Sequence, residues 1–141
     1  MNSLPSFASI AEDYALLEER DERYRLLIEL GQKLEPMPAA LKTDATRVRG
    51  CSANVWVYPT PREDARLHFL ADSDAAITKG IVALIVALVQ DRPAAELAHL
   101  DIAEALAPFA LKTQLSSNRT QGIPNMIALI QESARRYAAQ G

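Results

Sequence analysis

Thr46-Arg47-Val48-Arg49-Gly50-Cys51-Ser52-Ala53-Asn54-Val55-Trp56-Val57-Tyr58 is the stretch in which the hydrophobic period of this chain changes from 3.6 residues to 2. Thr46 to Arg49 alternates, and Val55 and Val57 alternate against Asn54, Trp56 and Tyr58. Farther on, Leu67 and Phe69 alternate against Arg66, His68 and Leu70. This pattern predicts three short consecutive strands. Gly50–Ala53 is the first turn and Pro59-Thr60-Pro61-Arg62-Glu63-Asp64 the second, so an antiparallel meander is the simplest topology. Cys51 then lies at the first hairpin connection.

Helical spacing governs both sides of this region. Phe7, Ile10, Tyr14 and Leu17 mark an amphipathic helix from Ser6 to about Glu19. A second starts near Asp21, carries Tyr24, Leu27, Ile28, Gly31 and Leu34 on one face, and stops before Pro36 and Pro38. The acids Glu18, Glu19, Asp21 and Glu22 at their junction read as a solvated helix start that suits the positive end of the dipole, the remaining reading being a docking edge for a basic partner. After the strands a third helix is expected to open at Asp72-Ser73-Asp74, with Asp72 or Ser73 as cap, and to run through Ile77, Ile81, Leu84, Ile85 and Leu88. Apolar on nearly every side, it belongs across the sheet at the centre of the domain. Minor helices follow from Pro93 through Leu97 and from Ile102 to Ala107. The last long helix carries Met126, Ile130, Ala134 and Tyr137 and ends near Arg135 and Arg136. The fold class is therefore α+β, a small three-stranded antiparallel sheet packed against several helices in a single domain spanning 1–141.

Composition restricts the chemistry. One cysteine among 141 residues excludes an internal disulfide framework, zinc sites built on paired thiols and Cys-x-x-Cys redox chemistry. The N-terminal Met1 to Phe7 has no basic cluster followed by an apolar run, which predicts a cytoplasmic, reduced protein. The longest apolar run, Ile81 to Val89, is far shorter than the roughly 20 residues that span a bilayer, so no membrane is expected. A net charge of -3 with scattered bases lacks the footprint of a nucleic-acid binder. No Gly-x-Gly loop cradles a phosphate, no Gly-x-Ser-x-Gly elbow exposes a hydroxyl, and no cofactor or metal site is visible. His68 and His99 are isolated in sequence and read as ordinary surface or edge residues, while a Cys-His pair formed in space stays open.

That leaves Cys51. A lone thiol is commonly a small buried hydrophobe. A loop tip flanked by Arg47 and Arg49 instead favours an exposed, stabilised thiolate, and Gly50 leaves the sulfur open to a bulky partner. On an alternating strand the two arginines share one side, so they act together or not at all. Gly50 is equally well explained as a turn glycine, and the arginines as partners in surface ion pairs.

Four ordered blocks carry a resemblance. They are Ile28-Glu29-Leu30-Gly31-Gln32-Lys33-Leu34; Val48-Arg49-Gly50-Cys51 followed by Val55-Trp56; Asp72 to Ile77 with Lys79-Gly80; and Leu115-Ser116 followed by Asn118-Arg119-Thr120-Gln121-Gly122 and Met126. From about Tyr24 to Met126 the chain resembles the SufE family, sulfur acceptors for cysteine desulfurases in iron-sulfur cluster assembly. The resemblance implies a mixed domain similar to the one-domain cluster scaffolds. It places Cys51 on the acceptor cysteine, which takes sulfur from a pyridoxal-phosphate-dependent desulfurase and passes it to a scaffold. Arg119 and Gly122 fall on the arginine and glycine of the late loop-helix block, and Arg119 serves there either as structural support or beside the sulfur loop. Ser52 directly follows Cys51, whereas many members have a serine one place later. Pro124 predicts a kink or a delayed start of the last helix.

The absence of a second cysteine suits a carrier, since no resolving thiol can strip a Cys51 persulfide. The loop is expected to fold its sulfur toward apolar side chains when alone and to swing out in a complex. A cluster scaffold is disfavoured because one cysteine cannot supply several thiolates. A regulatory module that activates a partner enzyme without carrying sulfur is the alternative. The oligomeric state is left open, a homodimer included.

Overall fold

The computed structural model describes residues 4–115 and 120–140. Helix α1 (Phe7–Leu16) is capped by Ser6, whose Oγ accepts from the Ser9 amide at 3.1 Å, and it buries Ile10 and Tyr14. Tyr14 packs its ring at a tilt against that of Phe109, centroids 4.8 Å apart, and donates its hydroxyl to the Phe109 carbonyl at 2.8 Å, tying the N-terminus to a late turn. Helix α2 (Arg20–Gln32) buries Leu27, Leu30 and Gly31.

The sheet consists of β1 (Val55–Pro61), β2 (Arg66–Ser73) and the two-residue β3 (Arg92–Pro93), antiparallel in the order β1-β2-β3. Val57 pairs with Ala71 and Val55 with Ser73 on the buried face, while Trp56 and Tyr58 oppose Asp72 and Leu70 on the outer one. A three-stranded sheet is present, but its membership corrects the sequence reading. Thr46–Arg49 is not a strand; it contributes one isolated bridge, Arg47 to Trp56. The reason is local. The Thr46 and Arg47 amides bond to the carbonyls of Thr43 and Asp44 in a turn, and Thr46 Oγ1 donates to the Leu41 carbonyl at 2.5 Å. Such short-range side-chain bonds compete with a ladder. Only Val48 N to Val55 O and Val57 N to Thr46 O join this segment to β1. The third strand is Arg92–Pro93, paired with Leu67 and Arg66.

Helix α3 (Ala76–Val89) is buried on almost every side, as its composition demands, and packs between α2 and β2. It opens later than the capping pattern suggests, because alternation carries β2 through Ser73 and Ala75 takes the cap position without a side-chain bond. Asp72 instead pairs with Lys42 at 2.6 Å and Lys79 at 3.2 Å. Burial alone would raise its carboxyl, but Lys42, the Ser73 amide and Lys79 outweigh it and hold Asp72 below the usual carboxylate range. At the α2–α3 crossing a methyl group on Gly80 would run into the Leu27 backbone, so only a glycine permits this approach.

Short helices α4 (Ala94–Leu97), α5 (Ile102–Leu106) and α6 (Leu111–Gln114) lead to the long α7 (Ile123–Gln140), which packs against α4 and β1. Pro124 is the second residue of α7, where its missing amide removes no helical bond, so the helix starts late rather than kinking. Among the described residues no helix is long and apolar enough to cross a membrane.

Candidate functional site

Cys51 lies in the loop between the bridge residue Arg47 and β1. The base of this loop is fixed by the Val48–Val55 bond and by Asp74, which accepts from the Asn54 amide at 3.0 Å and from its side chain at 2.8 Å. Gly50 turns the chain with φ of 84°, a left-handed conformation that favours glycine. On the far side Asn125, in the first turn of α7, donates Nδ2 to the Arg49 carbonyl at 2.8 Å. A side chain at Gly50 would strike that same Asn125 amide. Turn and clamp therefore fit each other.

The sulfur points inward and is partly buried. Sγ occupies the space that a Gly122 side chain would fill, directly before α7 begins. Beside it lies a small pocket of about 20 Å³, walled by Val55, Ile81, Val82, Ile123 and Met126. That is room for one further water-sized atom and little else. On the opposite side Cys51 borders an open polar basin formed with Asp44, Arg47, Val48, Arg49 and Gly50. One thiol thus has two surroundings within reach, one mainly apolar and one basic.

Electrostatics follow from the inward position. Burial pushes the Cys51 thiol above its ordinary value, and Arg47 pulls it down without overcoming that effect. The expectation that the two arginines act together or not at all is not met. They do share the basin, but of the two it is Arg47 that acts on the thiol, while Arg49 engages the site through its main-chain carbonyl. In this inward position the surroundings favour the thiol over the thiolate, the form in which sulfur is the weaker nucleophile.

The structure brings Cys51, Gly50, Arg47, Arg49 and Gly122 together. Arg119 lies outside the described residues. Neither histidine lines the pocket or the basin. His99 is exposed, but His68 is not the isolated residue its sequence context suggests. Its ring lies between Glu35 at 2.7 Å and Asp91 at 2.8 Å, joining the end of α2, β2 and the turn before β3. Among the described residues no cluster of histidine, cysteine and carboxylates is arranged to hold a metal ion. Sequence reasoning missed Asn125 and the Asn54–Asp74 pair. No local signal marks Asn125, because its partner is 76 positions away.

Residues 8–134 match the model of the SufE family, described as an Fe-S metabolism associated domain. The sulfur acceptor protein CsdE of Escherichia coli is 33% identical over 115 residues, covering 82% of this chain and 78% of that protein. The cysteine desulfuration protein SufE of Wigglesworthia glossinidia brevipalpis is 28% identical, covering 96% and 94%. The solution structure of a hypothetical protein from Thermus thermophilus superposes with a TM-score of 0.75 at 16% identity, covering 97% of this chain and 99% of that one, and so shares the fold.

Proposed function

This chain belongs to the SufE family, and from that premise we propose that it is a sulfur acceptor of iron-sulfur metabolism whose Cys51 takes persulfide sulfur from a pyridoxal-phosphate-dependent cysteine desulfurase. The observation that carries this reading is the position of Sγ between a mainly apolar pocket for one extra atom and a basin bordered by Arg47 and Arg49. Pyridoxal phosphate belongs to the donor.

Transfer is a thiol–disulfide-type exchange. The Cys51 thiolate attacks the terminal sulfur of the donor persulfide, a new S–S bond forms on Cys51, and the donor cysteine leaves as thiolate. No external oxidant or reductant is needed, because the S–S bond made replaces the one broken. Docking of the donor draws the loop outward, breaking the Asn125–Arg49 bond and exchanging the apolar wall for the arginine side. Leaving the apolar wall lowers the cost of the thiolate, and Arg47 then acts on it unopposed. After release, the loop returns and the terminal sulfur enters the pocket by Met126 and Ile123, out of reach of soluble reductants. The same exchange with an acceptor thiol on an iron-sulfur scaffold unloads the protein.

The test mixes the protein with a charged desulfurase and cysteine and looks by intact mass for one added sulfur atom, lost in Cys51→Ser. No adduct while the donor is charged would sink the proposal. Stimulation of the desulfurase that survives Cys51→Ser would instead favour a regulatory module that carries no sulfur.

A further inference from the structure

The corner where α1 meets α2 has a character unlike the rest of the molecule. Seven carboxylates lie between Glu12 and Glu29 against three arginines, a local charge of -4, which leaves the remainder of the chain at +1. All seven are exposed, and among the described residues none takes part in an ion pair. Nor does every arginine oppose them. Arg23 is turned inward, with Nε donating to the Leu17 carbonyl at 2.9 Å and its guanidinium 4.6 Å over the Tyr14 ring.

Between these carboxylates runs a groove of about 340 Å³, floored by Leu16, Leu17 and Leu26 and edged by Asp13, Glu22 and Glu29, with Arg25 as its one cation. Leu16 is 80% exposed, far more than any other large apolar side chain among the described residues. An apolar floor inside an acidic rim is complementary to an apolar anchor flanked by positive charge. Helical spacing of Glu22, Leu26 and Glu29 on the outward side of α2 fits a helix laid alongside.

We propose that this groove docks a basic amphipathic helix of a partner protein, with an apolar side chain on Leu16, Leu17 and Leu26 and lysines or arginines on Asp13, Glu22 and Glu29. The surface shares no lining residue with either side of Cys51, so a partner held here leaves the sulfur site free. The inference does not depend on the sulfur-acceptor reading. Cys51→Ser should dock the same helix with unchanged affinity.

The probe is a synthetic helix with leucines on one face and lysines on the other, titrated into the isotope-labelled full chain and followed by amide NMR shifts. Its glutamate counterpart is the control. Expected are shifts centred on Leu16, Leu17 and Leu26, an affinity that falls with salt, and losses of about tenfold or more with Leu16→Glu or with Glu22→Lys and Glu29→Lys together. These positions are exposed, so unchanged melting of the variants verifies that they fold. Absence of binding, shifts elsewhere, indifference to the substitutions or equal binding of the glutamate helix overturns the proposal. A dimer of the free chain that dissociates on Leu16→Glu also overturns it, because the occupant would then be a second copy.

Discussion

Gly80 and Gly122 each stand where a methyl group would collide with another part of the chain, yet the two contacts serve opposite ends. At Gly80 the obstacle is the Leu27 main chain inside a crossing of two buried helices. At Gly122 it is the Cys51 sulfur, at the tip of a loop held by a handful of hydrogen bonds. Backbone in a packed interior has nowhere to go. A thiol on a loop can leave. One glycine therefore locks the core, and the other leaves a space that the thiol of a loop residue fills.

The difference can be broken experimentally, beginning at the locked end. Gly80→Val should cost about 3 kcal/mol or more of stability, read as a large fall in melting temperature. If it melts like the parent, the α2–α3 crossing is not as rigid as the comparison requires. Gly122→Ala should cost about 1 kcal/mol, while alkylation of Cys51 by iodoacetamide accelerates about tenfold as the sulfur is expelled. Equal alkylation rates in the two proteins would show that the inward seat does not protect the thiol. Asn125→Ala removes a single bond worth about 1 kcal/mol, so loop opening and alkylation should rise about fivefold with little change in melting.

Two pH responses give the smallest effects. The folded thiol of Cys51 titrates above its unfolded value, so the folded state holds the proton longer, and stability declines as pH rises past the ordinary thiol range. Arg47→Ala should raise that thiol further and move the alkylation profile to higher pH, which a shift to lower pH would refute. Asp72 has the opposite sign. Its folded value is depressed, so its contribution is complete above the unfolded carboxylate value and fades as pH falls through the folded one. Asp72→Asn should therefore narrow the gap in melting temperature between neutral and acidic buffer, and an unchanged gap would exclude this ion pair as a source of acid sensitivity.

Residues differ in how far their neighbours in sequence reveal them. The α3 run from Ile81 to Val89 announces a central helix because its own composition leaves no polar face. Val55, Val57, Leu67 and Phe69 announce a sheet with one buried face for the same reason. Thr46–Arg49 alternates just as well, and it fails as a strand because the Thr46 amide, which a ladder would pair with Val57, is taken by the Thr43 carbonyl in a turn that the Thr46 hydroxyl also fastens to Leu41. His68 looks solitary because Glu35 and Asp91 reach it from 33 and 23 positions away.

What the sequence by itself determined is the helices other than the short α6, the change of period that places Cys51 in a loop before β1, and the Gly50-Cys51 and Gly122 positions that mark the family. Those features are written in short windows, where hydrophobic spacing and turn residues act on adjacent backbone. Only the tertiary structure decided that Arg92–Pro93 supplies the third strand, that Asn125 clamps the loop, and that the sulfur faces Gly122 with Arg47 and Arg49 at its back. Each of these is a contact between segments far apart in the chain. Burial of the thiol, which outweighs the pull of Arg47, exists only once those segments have closed around it.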